Sequence, residues 1–131
     1  MIRSVDTNVL VRLLIEEDEE HRIIAEAAIF GGSILIATVV QEAVWVWTSR
    51  YRLKPSDIVP QLMDVLDAPL VRCSDRTAIS WALGKFEAGA DFADMLHLAL
   101  SGAADCFATF DQGIARRADD AVVRVETLGL A

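Results

Sequence analysis

Only two cysteines, Cys73 and Cys106, occur among the 131 residues, each inside an apolar run. That usage reads as two buried free thiols and excludes a disulfide framework or a cysteine-rich zinc site. Long hydrophobic runs are missing as well. No stretch approaches the ~20 consecutive apolar residues that crossing a bilayer requires, and the most apolar one, Ala28 to Val40, is interrupted by Gly31-Gly32-Ser33. No membrane association is expected. The first residues lack a signal-peptide pattern, which makes a cytoplasmic location the expectation. Basic residues are scarce, since 12 Lys and Arg stand against 20 Asp and Glu for a net charge of −8. Such a deficit argues against a protein that grips nucleic acid over its whole surface, because that mode draws its strength from neutralising phosphates. A local basic rim is still allowed. A cluster of acids that binds divalent metal would account for part of the negative excess, and a basic partner would be drawn to the remainder. Internal repeats, low-complexity segments and interdomain linkers are absent too.

What the chain does contain is enough apolar material for a core: 53% of residues are hydrophobic and 24% charged, the balance of a compact globular protein. A length of 131 residues suits one domain, residues 1–131. Apolar runs of strand length alternate with longer segments of helical period, the pattern of an α/β fold in which a five-stranded parallel sheet is flanked by helices on both faces. Strands are expected near Ile2–Val5, Ile34–Ala37, Leu70–Cys73, Cys106–Thr109 and Val122–Val125. These runs are almost wholly apolar, as strands buried on both sides should be.

Between them, residues 7–16 and 19–30 read as helices separated by the acidic run 16–20, a solvated turn and helix start. Thr38 followed by Gln41 forms a capping-box pattern, so a helix is expected to begin there with Glu42 in its first turn. Pro55 suits the first turn of a helix running to about Asp67, and Ser74 or Asp75 can cap another that stops near Gly89. Asp91 is expected to open a helix through about Ser101, with Asp94 on the same face one turn in. Asp111 is expected to start a short helix ending near Ala118.

Four acids follow strand-to-helix transitions: Asp6 in Asp6-Thr7-Asn8, Glu42, Asp94 and Asp111. In open α/β sheets the chemistry gathers beyond the carboxyl ends of the strands, and right-handed crossovers place Asp6, Glu42 and Asp111 along one such edge. Carboxylates collected in one cleft repel one another until protonation or a cation relieves them. All-oxygen ligands without accompanying Cys or paired His suit Mg²⁺ or Mn²⁺ better than zinc, and metal-bound water attacking phosphorus makes phosphodiester hydrolysis the favoured chemistry. Each acid also has a plainer role. Asp6, Asp91 or Asp111 can cap a following helix, and Glu42 can complement a helix dipole. His97, alone on its helix, reads as structural.

These residues resemble the PIN-domain nucleases, and within them the VapC-type toxins of toxin–antitoxin pairs. The matching stretches are Val5-Asp6-Thr7-Asn8-Val9-Leu10, Gln41-Glu42, residues 91–99 from Asp91 to Ala99, and Ala108-Thr109-Phe110-Asp111. The resemblance implies that Asp6, Glu42, Asp94 and Asp111 are catalytic metal-binding acids, that Asp91 is an auxiliary acid, and that Asn8 and Thr109 steady the acids through hydrogen bonds. It further implies Mg²⁺- or Mn²⁺-dependent cleavage of RNA, a homodimer, and inhibition by a cognate antitoxin protein. A housekeeping RNA-processing nuclease and a non-catalytic PIN-like interaction module are the alternatives.

Outside the acids, Arg50, Arg52 and Lys54 form the densest basic segment around Tyr51, able to meet phosphates and stack on a base. Arg116 and Arg117 follow Asp111 and offer a second contact. Both groups also suit helix C-termini, where cations are favoured. Trp45 and Trp47 lie two residues apart on the Glu42 helix, so at most one is expected to be deeply buried; the other can belong to a dimer or antitoxin interface. Trp81, Leu83 and Phe86 read as core.

Overall fold

The computed structural model describes residues 1–129. The chain divides into two compact units, Met1–Arg76 and a second that begins at Thr77. In the first, β1 (Arg3–Ser4) leads to α1 (Thr7–Arg12) and α2 (Glu19–Phe30), and then β2 (Ser33–Leu35), α3 (Ala37–Ser49), α4 (Pro55–Leu66) and β3 (Val71–Cys73) follow. The second holds α5 (Arg76–Glu87, entered from the last residue of the first unit), α6 (Phe92–Ala99), β4 (Cys106–Thr109), α7 (Gln112–Arg117) and β5 (Arg124–Thr127).

Every ladder is parallel, as the apolar runs imply, but the strands do not form one five-stranded sheet. They form a three-stranded sheet in the order β1-β2-β3 and a two-stranded sheet of β4 and β5. Arg3 pairs with Ser33, Ser33 with Val71, and Cys106 with Arg124. Counting apolar runs finds the number of strands but not their partners, and the strands are short. The first run shrinks to two exposed residues, with Ile2 also exposed, so β1 sustains only a brief ladder. The last strand lies two residues later than expected, with Val122 left exposed.

Local chemistry explains the helix limits. Helix α1 ends at Arg12 instead of reaching Glu16, because an acidic run is unfavourable at the negative end of a helix dipole. The same run serves the start of α2, where the Asp18 carboxylate accepts the N–H of His21 at 3.1 Å and lies 3.7 Å from Arg12. The His21 ring bonds that carboxylate too, and this contact, more than the backbone bond, holds Asp18 below the usual carboxylate range. At the end of α2, Gly32 takes a left-handed φ of 129°, with a Cβ there only 3.1 Å from the carbonyl oxygen of Met1, and the chain turns into β2. Pro55 occupies the first turn of α4, and the Asp57 carboxylate accepts the N–H of Lys54 at 2.9 Å.

Each unit has its own core. In the first, Leu10, Ile29, Leu35, Val40, Trp47, Ile58 and Leu62 are wholly buried. Trp47 joins α3 to α1 through its indole N–H, which donates to the Val11 carbonyl at 3.0 Å. In the second, Ile79, Leu83, Phe86, Phe92, Met95, Leu96 and Leu98 are buried, with the Phe86 and Phe92 rings packed edge to face at 6.0 Å. Trp81 is only partly buried. Its N–H donates to Asp120 at 3.4 Å, and Lys85 both pairs with Asp120 at 2.6 Å and lies over the indole ring. Cys73 and Cys106 are free thiols but half-buried instead of buried. Burial raises the Cys73 pKa, whereas at Cys106 the main cause is the hydrogen bond its thiol donates to Glu126 at 3.2 Å. Among the described residues, no helix is long and apolar enough to cross a membrane.

Candidate functional site

The first unit presents Asp6 and Glu42. Asp6 follows β1 and caps α1, its Oδ1 accepting the N–H of Val9 at 3.2 Å. Glu42 stands on α3, which packs against α1, and its Oε1 accepts a hydrogen bond from the Thr7 hydroxyl. One residue after the first acid thus holds the second. Thr7 escaped sequence reasoning, although it lies inside Asp6-Thr7-Asn8; its partner is 35 residues away. Asn8, expected to steady the acids, is exposed.

Glu42 sits deeper in its helix than the Thr38–Gln41 pattern implied. Helix α3 starts at Ala37, its N-cap Ile36 gives no side-chain cap, and Thr38 is already helical. The Ala37 N–H is satisfied instead by the Ser74 hydroxyl at 3.2 Å. Ser74, which the sequence offers as a cap for α5, therefore caps α3 across the fold, and Glu42 falls in the second turn.

The second unit presents Asp91, Asp94 and Asp111. Asp91 caps α6, its Oδ2 accepting the N–H of Asp94 at 2.9 Å. Asp111 caps α7, its Oδ1 accepting the N–H of Gly113 at 2.7 Å. The Thr109 hydroxyl accepts the backbone N–H of Asp111 at 3.0 Å, which sets the turn from β4 into α7. The capping roles open to Asp6, Asp91 and Asp111 are all occupied, and a cap uses one oxygen, leaving the other for a ligand.

Partial burial raises the pKa of Asp94, and the negative charges of Asp91 and Asp111 add to the effect, while His97 opposes it. The charges of these two neighbours thus add to burial in making Asp94 harder to ionise. Among the described residues, no three His, Cys, Asp or Glu side chains are gathered into a ready-made metal cage. Magnesium does not require one: it is commonly held by one or two carboxylates, retaining waters and taking substrate phosphate oxygens. Asp6 and Glu42 in the first unit, and Asp91, Asp94 and Asp111 in the second, are the carboxylates from which single donors of that kind would come.

The expected basic contacts Arg50, Arg52 and Lys54 are exposed beyond α3, and Arg116 and Arg117 are exposed in the last turn of α7. Tyr51 is half-buried, whereas Trp45 is 65% exposed. Comparison with protein families matches residues 4–120 to the PIN domain, a family of nucleases. No curated protein matches the chain.

Proposed function

The chain belongs to the PIN-domain family, and from that membership we propose a Mg²⁺- or Mn²⁺-dependent endoribonuclease that hydrolyses RNA phosphodiesters as the toxin of a VapBC-type pair. The catalytic metal-binding acids are Asp6, Glu42, Asp94 and Asp111, with Asp91 auxiliary. The observation that carries this reading is the family match over residues 4–120, which takes in all four acids; beside it, burial and then the charges of Asp91 and Asp111 make the Asp94 carboxyl hold its proton more tightly than usual. Carboxylates kept near one another against their repulsion are what a bound cation relieves.

A divalent cation, when bound, supplies an activated water and offsets charge building on the phosphate. The residues of the chain prepare for that chemistry. Thr7 fixes one oxygen of Glu42 and thereby its rotamer. Thr109 fixes the backbone from which Asp111 projects. Asp91 fixes the first turn of α6 and hence the starting point of Asp94. Arg50, Arg52, Lys54 and Arg116, all exposed, suit phosphates of the substrate.

An antitoxin partner is part of the reading, and a cavity of about 190 Å³ in the first unit, lined by Leu13, Leu14, Phe30 and Val65 with Glu26, Gln61 and Asp64, has room for one large apolar side chain of such a partner. An amphipathic helix carrying Lys or Arg beside its apolar stripe complements that lining. A homodimer and a cytoplasmic location complete the proposal. Incubation with RNA and Mg²⁺ tests it: the wild-type chain cleaves, a chelator stops cleavage, and Asp6→Asn abolishes it while the fold survives. Equal activity in wild type and mutant would sink the reading.

The helix-capping roles already filled by Asp6, Asp91 and Asp111 favour one second reading, a non-catalytic interaction module. Calorimetry with Mn²⁺ in the presence of a non-cleavable oligonucleotide separates the two. Saturable metal binding supports the nuclease, and its absence supports the module.

A further inference from the structure

Two tryptophans two residues apart on α3 meet opposite fates. Trp47 is wholly buried, while Trp45 leaves 65% of its surface in water, an unfavourable place for so large an apolar ring. Its exposed companions on the helix are Thr38, Glu42, Thr48 and Ser49, spaced seven and three residues before it and three and four after, which puts all five on one stripe. Trp45 is therefore a lone aromatic among polar groups, unlike the contiguous apolar centre of a protein–protein interface.

The stripe has direction. Glu42 stands about 4.5 Å before Trp45 along the helix axis, and past the last turn come the exposed cations Arg50, Arg52 and Lys54. That last turn is fixed: Tyr51 N–H donates to the Val46 carbonyl at 3.3 Å and Leu53 N–H to the Trp47 carbonyl at 3.0 Å. Arg52 between them holds a left-handed φ of 54°, uncommon for any residue but glycine. An acid, an aromatic face and a set of cations in that order complement a single strand, whose unpaired bases stack on aromatic rings while its phosphates meet Arg and Lys.

We infer that the exposed stripe of α3 is a track for an unpaired stretch of the RNA, in which the indole of Trp45 stacks on a base near the scissile phosphate and Arg50, Arg52 and Lys54 hold phosphates farther along. The inference rests on the nuclease reading for the meaning of Glu42. Trp45 is a binding residue here and takes no part in bond cleavage.

The test uses the full chain and a single-stranded oligoribonucleotide containing 2-aminopurine, whose fluorescence is quenched by stacking. With chelator present, wild type quenches the probe, Trp45→Ala loses the quenching with at least a fivefold weaker affinity, and Trp45→Phe keeps most of both. With Mn²⁺, Trp45→Ala raises KM at least fivefold and leaves kcat within about twofold. Unchanged quenching and KM in Trp45→Ala overturn the inference. So does a shift of that variant from dimer to monomer with RNA affinity intact, which would assign the stripe to a second copy of the chain. If wild type cleaves no RNA but quenching still depends on Trp45, the nuclease reading falls and the stacking surface stands. If wild type cleaves and Trp45→Ala behaves identically, only the stacking surface falls.

Discussion

The hydroxyl of Thr7 donates a hydrogen bond to the carboxylate of Glu42, so a residue that immediately follows one candidate ligand orients another 35 residues away. Removing the donor while preserving shape isolates that role. Thr7→Val is expected to slow RNA cleavage about 10- to 100-fold, the usual loss when a group that orients a metal ligand is removed. Thermal stability falls by at most about 1 kcal/mol, because the bond lies at the surface. Cleavage kinetics and a melting curve on the same preparation check both halves.

Asp94 supplies a pH dependence of definite sign. Burial, then the charges of Asp91 and Asp111, raise its folded-state pKa, so the folded chain binds this proton more tightly than the unfolded one. Below the ordinary aspartate value both states are protonated and there is no penalty. As pH rises through the raised value, the folded state pays for ionisation and stability is lost. Asp94→Asn is therefore expected to melt higher than wild type at neutral pH in metal-free buffer, with the difference vanishing at acid pH. Melting curves across the pH range measure this, and saturating Mn²⁺ should narrow the difference by stabilising wild type alone.

Asp18 has the opposite sign. Its hydrogen bonds to His21 lower its pKa, so its contribution is present above the ordinary aspartate value and fades as pH falls through the lowered one. Asp18→Ala is expected to flatten the acid side of the wild-type stability profile and to leave cleavage at neutral pH unchanged.

The two tryptophans of α3 separate packing from binding. Trp47→Ala opens a cavity in a wholly buried site and removes the bond to the Val11 carbonyl, which should cost about 3–5 kcal/mol. Trp45→Ala, at an exposed position, should stay within about 0.5 kcal/mol of wild type. Urea denaturation of the two variants distinguishes them.

Arg52 offers a similar division between stability and binding. Glycine adopts the left-handed region without the steric penalty that an arginine bears there, so Arg52→Gly should retain or raise stability by up to about 1 kcal/mol. If Arg52 meets a phosphate, the same change lowers the slope of log affinity against log salt by about one. Binding titrations at several salt concentrations check this against the melting temperature.

Much of this arrangement was legible in the residues because it is governed locally. Asp91 and Asp111 announce α6 and α7 as short side chains directly before helical segments, and both do cap them. The spacing of Trp45 and Trp47 requires that they part, and they do. What was not legible depends on partners distant along the chain. Thr38 and Gln41 satisfy a local capping rule, yet Ser74 arrives from beyond β3 and takes the position. Thr7 finds Glu42 only because α1 packs on α3. The apolar runs announce five strands, but pairing is settled by which backbones meet, and the ladders close into sheets of three and two strands. The family match over residues 4–120 is in line with the short acid motifs, whose separate roles in catalysis are still proposals.

We propose that Asp6, Glu42, Asp94 and Asp111 serve a single reaction. Residues that act as one unit are strongly non-additive when removed together. Single-turnover RNA cleavage with Mn²⁺ should therefore be compared for wild type, Asp6→Asn, Asp94→Asn and the double variant. Each single change should slow cleavage at least 100-fold, and the double variant should be no slower than the worse of the two. Full activity in either single variant, or losses that multiply in the double, would contradict the account.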